Sequence, residues 1–164
     1  MIDATDAIIL NILQSNARTS NAEIARQVDL APSAVFERIR KLEERGVLHG
    51  YAARVNPKAV GLPLLAFVFV RAEERPGAEE TSRIVAQFPE VLEVHHVAGE
   101  DCFVAKVRTA DTEALHRLLH DRLGAIESIT STRTTIVLDT VKETAQLPIS
   151  AEQHSDAEPE TVRV

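Results

Sequence analysis

Cysteine is almost absent from this chain. The single thiol, Cys102, excludes a disulfide within one chain and suits a reducing compartment. Long apolar runs are also missing, because the longest one, residues 59–70, is interrupted by Gly61 and Pro63, whereas a membrane helix needs ~20 apolar residues. No basic segment followed by an apolar one opens the sequence. We therefore expect no signal peptide, no membrane partner and a cytoplasmic location.

The chain is acidic, but its acidic residues are unevenly distributed. The net charge is −7, yet residues 1–58 hold eight Lys and Arg against seven Asp and Glu, and the remainder holds ten against eighteen. A nearly neutral N-terminal part can bind DNA if its cations share one face, although it offers no broad positive field. The length of 164 residues suits one ordinary domain or two small ones, and small domains gain from self-association.

The first fifty residues predict three short helices, because apolar residues recur there at helical spacing. Ser20 or Asn21 caps the second helix, and Ser20 with Glu23 fits a capping box. Pro32 suits the first turn of the third helix, and Gly46 suits its end. Two short helices joined by a tight turn form a helix-turn-helix, whose later helix enters the major groove.

The third predicted helix, residues 33–45, buries one apolar stripe and turns its charged residues outward. Arg and Lys neutralise phosphates, and Arg also bonds guanine edges in pairs. A merely solvated helix has the same pattern, and glutamates on this helix repel phosphate, so both interpretations stay open on these residues alone. The residues that we expect to contact DNA are Ser33, Ala34, Glu37, Arg38, Arg40, Lys41 and Arg45.

The second half of the chain predicts the order β-α-β-β-α-β. The strands cover residues 64–71, 91–97, 102–108 and 126–138, and the helices cover 78–88 and 111–123. This order is the ferredoxin-like unit, whose sheet leaves one face that a second copy of the chain could cover. The fold class is α+β, with an N-terminal winged helix-turn-helix followed by a ferredoxin-like βαββαβ domain. We assign residues 1–50 to the head, 51–61 to a linker strand, 62–142 to the βαββαβ domain, and 143–164 to an acidic, disordered tail.

Segments of both halves follow the pattern of one protein family. They read IDATDAIIL from Ile2, LAPSAV from Leu30, RIRKLEERGVL from Arg38, GY then NP at residues 50–51 and 56–57, FPEV from Phe88, VAGED from Val97 and STRTTIVL from Ser131. These segments resemble the Lrp/AsnC (leucine-responsive, feast/famine) transcription regulators from about residue 2 to about residue 142. Ala31 departs from the pattern, since a Ser usually caps the third helix there, and we expect a weaker cap on an intact helix.

The resemblance implies a sequence-specific DNA-binding regulator whose DNA affinity or assembly responds to an amino acid or similar metabolite. In that family the sensing domains dimerise through their sheets and assemble further into octamers or related rings. We therefore expect three partners: double-stranded DNA, the small effector and the protein itself. The effector is held between dimers by a glycine loop and the final strand, whose positions match Ala98, Gly99, Glu100, Asp101, Thr134, Thr135 and Ile136.

The chemistry of these residues suits an amino-acid ligand. Gly99 permits a tight turn, and exposed backbone amides can hold a carboxylate. Glu100 or Asp101 can pair with an ammonium group, and Thr hydroxyls can add hydrogen bonds. An ordinary β-turn uses the same residue types. The family often has an aromatic residue in place of Asp101 and an Asp in place of Cys102, which leaves the identity of the ligand open.

Histidines give the main indication of an enzyme. His95 and His96 are adjacent on a predicted strand and point to opposite faces, so they do not share one metal ion. His116 and His120 share a helix face but lack a third ligand. Sirohaem decarboxylases resemble the same architecture and use His chemistry on a tetrapyrrole, so such an enzyme is one alternative. A ligand-binding assembly module without DNA binding is another. We expect no cofactor, no metal site and no catalysis.

Overall fold

A computed structural model of the chain describes residues 2–73 and 79–150. These residues divide into two compact units. Unit 1 contains the described residues up to Ala53 and those from Glu143 onward, whereas unit 2 contains the described residues from Arg54 to Lys142. The chain therefore leaves unit 1, builds unit 2 and returns to unit 1. None of the described helices has the length and apolar character needed to cross a bilayer.

Unit 1 begins with three helices, as predicted. They are α1 (Ala4–Ser15), α2 (Asn21–Val28) and α3 (Pro32–Glu44). A capping box starts α1, because the side chains of Asp3 and Asp6 each accept a hydrogen bond from the other residue's backbone amide. At α2, the Ser20 hydroxyl accepts from the Glu23 amide, but the Glu23 carboxylate pairs with Arg26 instead of returning to Ser20. The capping box predicted for α2 is therefore only half formed.

A short turn joins α2 to α3 and makes them a helix-turn-helix. Asp29 ends α2 with a left-handed φ of 53°, which Asp tolerates better than most residues other than glycine. Ala31 offers no side-chain cap to α3, yet the helix starts at Pro32 as predicted. Gly46 follows α3 with a φ of 63°, the expected glycine ending. The buried apolar residues of the three helices include Ile9, Leu13, Ile24, Ala25, Val35, Ile39 and Leu42.

The segment after α3 corrects one prediction, the linker strand over residues 51–61. Residues 47–63 form turns and irregular chain, and no described strand pairs with them. The β-branched residues of this segment favour a strand only where a neighbouring strand supplies hydrogen bonds. The described part of the chain supplies no such neighbour.

Unit 2 contains one four-stranded antiparallel sheet, and its element order confirms the βαββαβ prediction. The strands are β1 (Leu64–Ala72), β2 (Val91–His96), β3 (Phe103–Thr109) and β4 (Ile129–Ile136), in the spatial order β2-β3-β1-β4. Helix α4 (Glu80–Val85) connects β1 to β2 and is shorter than predicted, because residues 86–88 form a turn; Ala78 lies outside the described residues. Helix α5 (Thr112–Arg117) is capped by Asp111, as predicted, and continues as a π-helical turn, Leu118–Leu123.

The two faces of the sheet carry different residues. On one face, Ala66, Val68 and Val70 of β1 are fully buried in a core that includes Leu115 and Leu118 from the helical segments. On the opposite face, Phe67 and Phe69 of β1 are half-buried, and Val104 of β3 pairs with Phe69. The alternation follows from the two-residue period of a strand.

Residues 143–150 correct a second prediction, that the tail is disordered from residue 143. They form neither a helix nor a strand, but Asn11 and Gln14 of α1 hydrogen-bond to them. The prediction of disorder rests on the polar and acidic composition of the tail as a whole, with Glu152, Asp156, Glu158 and Glu160. The acidic residues after Ser150 lie outside the described part of the chain, so the rest of the tail stays a prediction.

Candidate functional sites

The outer surface of α3 carries the residues predicted to contact DNA. The helix buries Val35, Ile39 and Leu42, so the positions between them face away from the core. Ser33, Glu37, Arg40, Lys41 and Arg45 are exposed, whereas Ala34 and Arg38 are half-buried. Five of these residues line one open cleft of about 310 Å³ together with Asp6 and Leu42, namely Ala34, Glu37, Arg38, Lys41 and Arg45.

Arg38 is held by two carboxylates from the start of α1. Its guanidinium donates to Asp3 at 2.6 Å and to Asp6 at 2.7 Å. These hydrogen bonds raise the pKa of Arg38. Partial burial raises the pKa of Asp3, but hydrogen bonds from the Asp6 amide and from Arg38 outweigh it, so this pKa lies below its ordinary value. The place of Arg38 on the outer face of α3 predicts a side chain that projects freely into solvent. The structure differs, because α1 supplies two carboxylate partners that the local sequence does not reveal.

The remaining cations of α3 differ in how far they are neutralised. Arg40 donates to Glu37 at 2.8 Å and also pairs with Glu44. The hydrogen bond to Glu37 is the main cause that raises the pKa of Arg40. Lys41 forms no ion pair with any described residue, and its side chain lines the cleft. A long, flexible and unpaired ammonium group of this kind suits contact with a phosphate.

The loop between β2 and β3 contains the predicted effector residues of the glycine segment. Ala98, Gly99 and Glu100 are exposed, and Asp101 is half-buried. Gly99 has a φ of 144°, a conformation that L side chains rarely adopt, although space is available for a Cβ atom. The loop is closed by a hydrogen bond from the Val97 amide to the Cys102 carbonyl. The glycine is thus required by backbone conformation and not by crowding.

Two arginines tie this loop to the sheet, and sequence reasoning missed both. Arg71 of β1 donates to the Glu100 carbonyl at 3.1 Å and lies 3.4 Å from the Glu100 carboxylate. Arg133 of β4 donates to Asp101 at 3.0 Å, and its guanidinium lies 4.0 Å from the ring centroid of Phe69. Two signals in the sequence were available. Arg71 follows the apolar run of β1, and Arg133 is the one charged residue within the Thr-rich stretch of β4.

The predicted effector residues of β4 do not share one face. Thr134 pairs with Val68 and Ile136 pairs with Ala66, which places both on the face that packs against the helices. Thr135 pairs with Phe67 on the opposite face, the face of Phe69 and Arg133. Thr134 is half-buried, whereas Thr135 and Ile136 are exposed. Of the three, only Thr135 shares the face of Arg133, because neighbouring residues of a strand alternate.

The histidines of β2 point to opposite faces, as predicted. The His95 ring lies 3.2 Å from the Glu93 carboxylate, whereas the His96 ring lies 3.0 Å from the Ser82 hydroxyl of α4. The hydrogen bond with His95 is the main cause that lowers the pKa of Glu93. Among residues 2–73 and 79–150, no group of three or more His, Cys, Asp and Glu side chains is arranged to hold a metal ion. Cys102 is half-buried, and its thiol contacts the backbone of Ala72.

Comparison with protein-family models matches both units. Residues 2–48 match a winged helix-turn-helix DNA-binding model, and residues 65–147 match the Lrp/AsnC ligand binding domain. The first match contains α1, α2 and α3, and the second contains almost all of β1 and the remainder of the sheet.

Individual relatives are similar over nearly their whole length. The HTH-type transcriptional regulator FL11 of Pyrococcus horikoshii is 39% identical, over 90% of this chain and 97% of the relative. The leucine-responsive regulatory protein of Escherichia coli is 35% identical, over 90% of this chain and 92% of the relative. A solved transcriptional regulator of Neisseria meningitidis, in complex with L-Met, has a TM-score of 0.85 and 32% identity, over 90% of this chain and 97% of its own. The chain therefore belongs to the Lrp/AsnC family of transcriptional regulators, with a helix-turn-helix for DNA and a separate ligand-binding domain.

Proposed function

We propose that this protein is a sequence-specific transcription regulator whose affinity for double-stranded DNA, or whose assembly, changes when an amino acid binds to unit 2. The observation that carries the proposal is the match of both units, in order, to a DNA-binding and to a ligand-binding family model. A cytoplasmic location fits both partners. Relatives that are named as regulators favour this function over the sirohaem-type enzyme. The separation of His95 and His96 onto opposite faces points the same way.

The outer face of α3 is the proposed DNA contact. Lys41 and Arg45 bind phosphates from the cleft, while Ser33, Ala34 and Glu37 face the base edges or the sugar-phosphate backbone near the helix start. Arg40 can bind a DNA phosphate once that phosphate replaces Glu37 and Glu44 as its ion-pair partner. Arg38 holds α3 against α1 through Asp3 and Asp6, so it acts on DNA binding by positioning.

The loop at Gly99 and the neighbouring end of the sheet are the proposed effector site. A bound amino acid carries one carboxylate and one ammonium group. Loop amides and the nearby arginines provide donors for the carboxylate, and Glu100 or Asp101 provides an acceptor for the ammonium. Residues 134–136 of the edge strand β4 supply the remaining contacts, some of them in the neighbouring copy of an assembly. L-methionine is the first effector to test, because the related regulator of Neisseria meningitidis was solved with it.

The sheet face that carries Phe67, Phe69 and Val104 is the proposed dimer contact. No described helix packs on this face, so its apolar side chains need cover, and the same face of a second copy supplies it with twofold symmetry. Such a dimer presents two α3 helices to one side of the duplex, about one DNA turn apart, and it prefers imperfect palindromes. Dimers are expected to assemble further into octamers or similar rings.

Binding to selected DNA tests the proposal directly. Random duplexes are enriched with the full-length protein, and the protein's own upstream region is included as a second probe. We expect specific, salt-sensitive binding to an imperfect palindrome, with an affinity that L-methionine or another amino acid changes several-fold. A thermal-shift screen of the amino acids identifies the effector, because a ligand that prefers the folded state raises apparent stability. Binding that never exceeds the affinity for random DNA would overturn the proposed function.

A further inference from the structure

The outer side of α1 binds a segment from the other end of the chain. We propose that Asn11 and Gln14 form a docking surface for residues 146–149, called the C-terminal strap below. We also propose that the docked strap transmits the effector response to the DNA-binding unit. The docking stands on the contacts alone, whereas the transmission rests on the proposed function.

Four hydrogen bonds join the strap to α1. The Gln14 side-chain amide donates to the Leu147 carbonyl at 3.1 Å and accepts from the Leu147 amide at 2.7 Å. The Asn11 side chain donates to the Ile149 carbonyl at 2.9 Å. The Gln146 side chain donates to the backbone carbonyl of Gln14 at 2.9 Å. Gln14 thus satisfies both backbone groups of one strap residue, as a neighbouring strand would.

The geometry of α1 and of the strap makes this docking specific. Asn11 and Gln14 are three residues apart, so they lie on one side of the helix, and both are half-buried. Leu147 meets Gln14 and Ile149 meets Asn11, so the strap runs antiparallel to α1. Pro148 biases the residue before it towards an extended conformation, which presents the backbone groups of Leu147 to a side-chain amide.

The docked strap is suited to reversible release. Its hydrogen bonds lie near the surface, and residue Leu147 remains 68% exposed. Water can replace hydrogen bonds at such positions with a small change in free energy. Segments with little buried apolar surface open before the rest of a protein unfolds. A ligand with a modest preference for the docked or the released state can therefore shift the strap.

The strap follows the proposed effector strand in the sequence and contacts the helix that supports α3. Residues 137–142 alone separate the end of β4 from Glu143, where the chain returns to unit 1. Helix α1 holds the strap through Asn11 and Gln14, and it holds α3 through the ion pairs from Asp3 and Asp6 to Arg38. Nine residues, 137–145, connect β4 to the strap, and a change in β4 thus reaches α1, the helix that positions the DNA-reading helix, along this segment.

Hydrogen exchange on the full-length protein tests the docking. The variant Asn11→Ala/Gln14→Ala removes three of the four hydrogen bonds and places a strong helix former at both positions, so α1 is retained. We expect the Leu147 amide to be protected in the wild type and to exchange in the variant as in an unstructured peptide. Ser15→Ala is the matched control, because the Ser15 hydroxyl bonds only the Asn11 carbonyl of its own helix. A Leu147 amide that exchanges freely in the wild type, or equally in both proteins, would refute the docking.

The DNA affinity of the same proteins, with and without saturating L-methionine, tests the transmission. We expect the variant to bind DNA and L-methionine like the wild type, but the ratio of DNA affinities with and without L-methionine to fall to about 1, whereas allosteric proteins commonly show about 5–150-fold. Ser15→Ala should keep the wild-type ratio. A variant whose strap is released but whose ratio is unchanged would overturn the transmission. If no amino acid changes the DNA affinity of the wild type, both the proposed function and the transmission are overturned. The hydrogen-exchange result decides the docking in either case.

Discussion

The guanidinium of Arg38 and the carboxylate of Asp6 meet at 2.7 Å, and this contact joins the first helix of unit 1 to the helix that faces DNA. The Asp6 side chain is only 11% exposed, and it also completes the capping box of α1 with Asp3. A single carboxylate thus stabilises the start of one helix and the placement of another. Asp6 and Arg38 both line the cleft that also contains Lys41 and Arg45, so their contact forms part of the cleft wall.

Replacement of Arg38 by alanine is expected to lower the free energy of unfolding by about 1–2 kcal/mol. A hydrogen bond to a charged group contributes about 1.5–3 kcal/mol, and partial exposure of this site reduces the value. Urea denaturation followed by circular dichroism measures the difference. Arg117→Ala is the control, because Arg117 forms an exposed pair with Glu113 at 2.9 Å, and a change within about 0.5 kcal/mol is expected there. Equal effects of the two variants would contradict the structural role of Arg38.

Acid should weaken the link between α1 and α3 through Asp3. The pKa of Asp3 in the folded protein lies below its ordinary value of 3.8, so the unfolded state takes up the proton first as the pH falls. The stabilisation is complete above about pH 5 and is lost as the pH falls through the folded pKa. Asp3→Asn should therefore be less stable than the wild type at neutral pH and equally stable in strong acid. A stability difference that is independent of pH would show that this carboxylate contributes no charge interaction.

The helices and most strands were predictable from sequence because their signals are local. Apolar residues recur at helical spacing in α3, and successive residues of β1 alternate between the two faces of the sheet. These periods predict which residues of each element share a face, even when the element that packs against it is unknown. The strand predicted over residues 51–61 was wrong because pairing depends on a neighbour, which local residues do not encode. The same reason explains residues 143–150, whose partner Gln14 is more than a hundred positions away in the sequence.

The sequence predicted which residues belong to each candidate site, but not which side chains contact one another there. The pattern of α3 correctly separated inner from outer residues, but it did not reveal that α1 carboxylates hold Arg38. The glycine loop was identified, yet its contacts with Arg71 and Arg133 were missed, since they depend on the register of β1 with both β3 and β4. Side-chain pairing across elements requires the assembled fold.

Replacement of Gly99 by alanine is expected to strain the effector loop. A Cβ atom would meet nothing within 4 Å, so the cost arises from the φ of 144° alone. Such backbone conformations cost about 1–3 kcal/mol for residues other than glycine, and the loop can relax by changing its path. We expect a lower melting temperature and weaker binding of L-methionine by calorimetry. Ala110→Ser, at an exposed position of unit 2 outside the loop, should change neither quantity. An unaffected Gly99→Ala protein would show that the loop geometry is not required.

Loss of the Glu100 carboxylate should weaken effector binding without unfolding unit 2. The Glu100 side chain is 92% exposed, and its pair with Arg71 is long, at 3.4 Å, so its contribution to stability is small. An ammonium group of a bound amino acid would be a closer partner. We expect Glu100→Ala to bind L-methionine more weakly in calorimetry, with an unchanged melting temperature. Glu113→Ala, another exposed glutamate of unit 2, is the control, and a fully retained affinity in Glu100→Ala would reject the assignment.

The salt dependence of DNA binding separates the roles of Lys41 and Arg38. A side chain that neutralises a phosphate releases counterions, so its removal reduces the slope of log K against log salt by about 0.9. Lys41 has no described ion partner and lines the cleft, so Lys41→Ala should weaken binding and reduce the slope by that amount. Arg38 is already neutralised by Asp3 and Asp6. Arg38→Ala should therefore weaken binding with an unchanged slope, whereas a slope reduced as in Lys41→Ala would mean that Arg38 leaves its carboxylates and binds a phosphate itself.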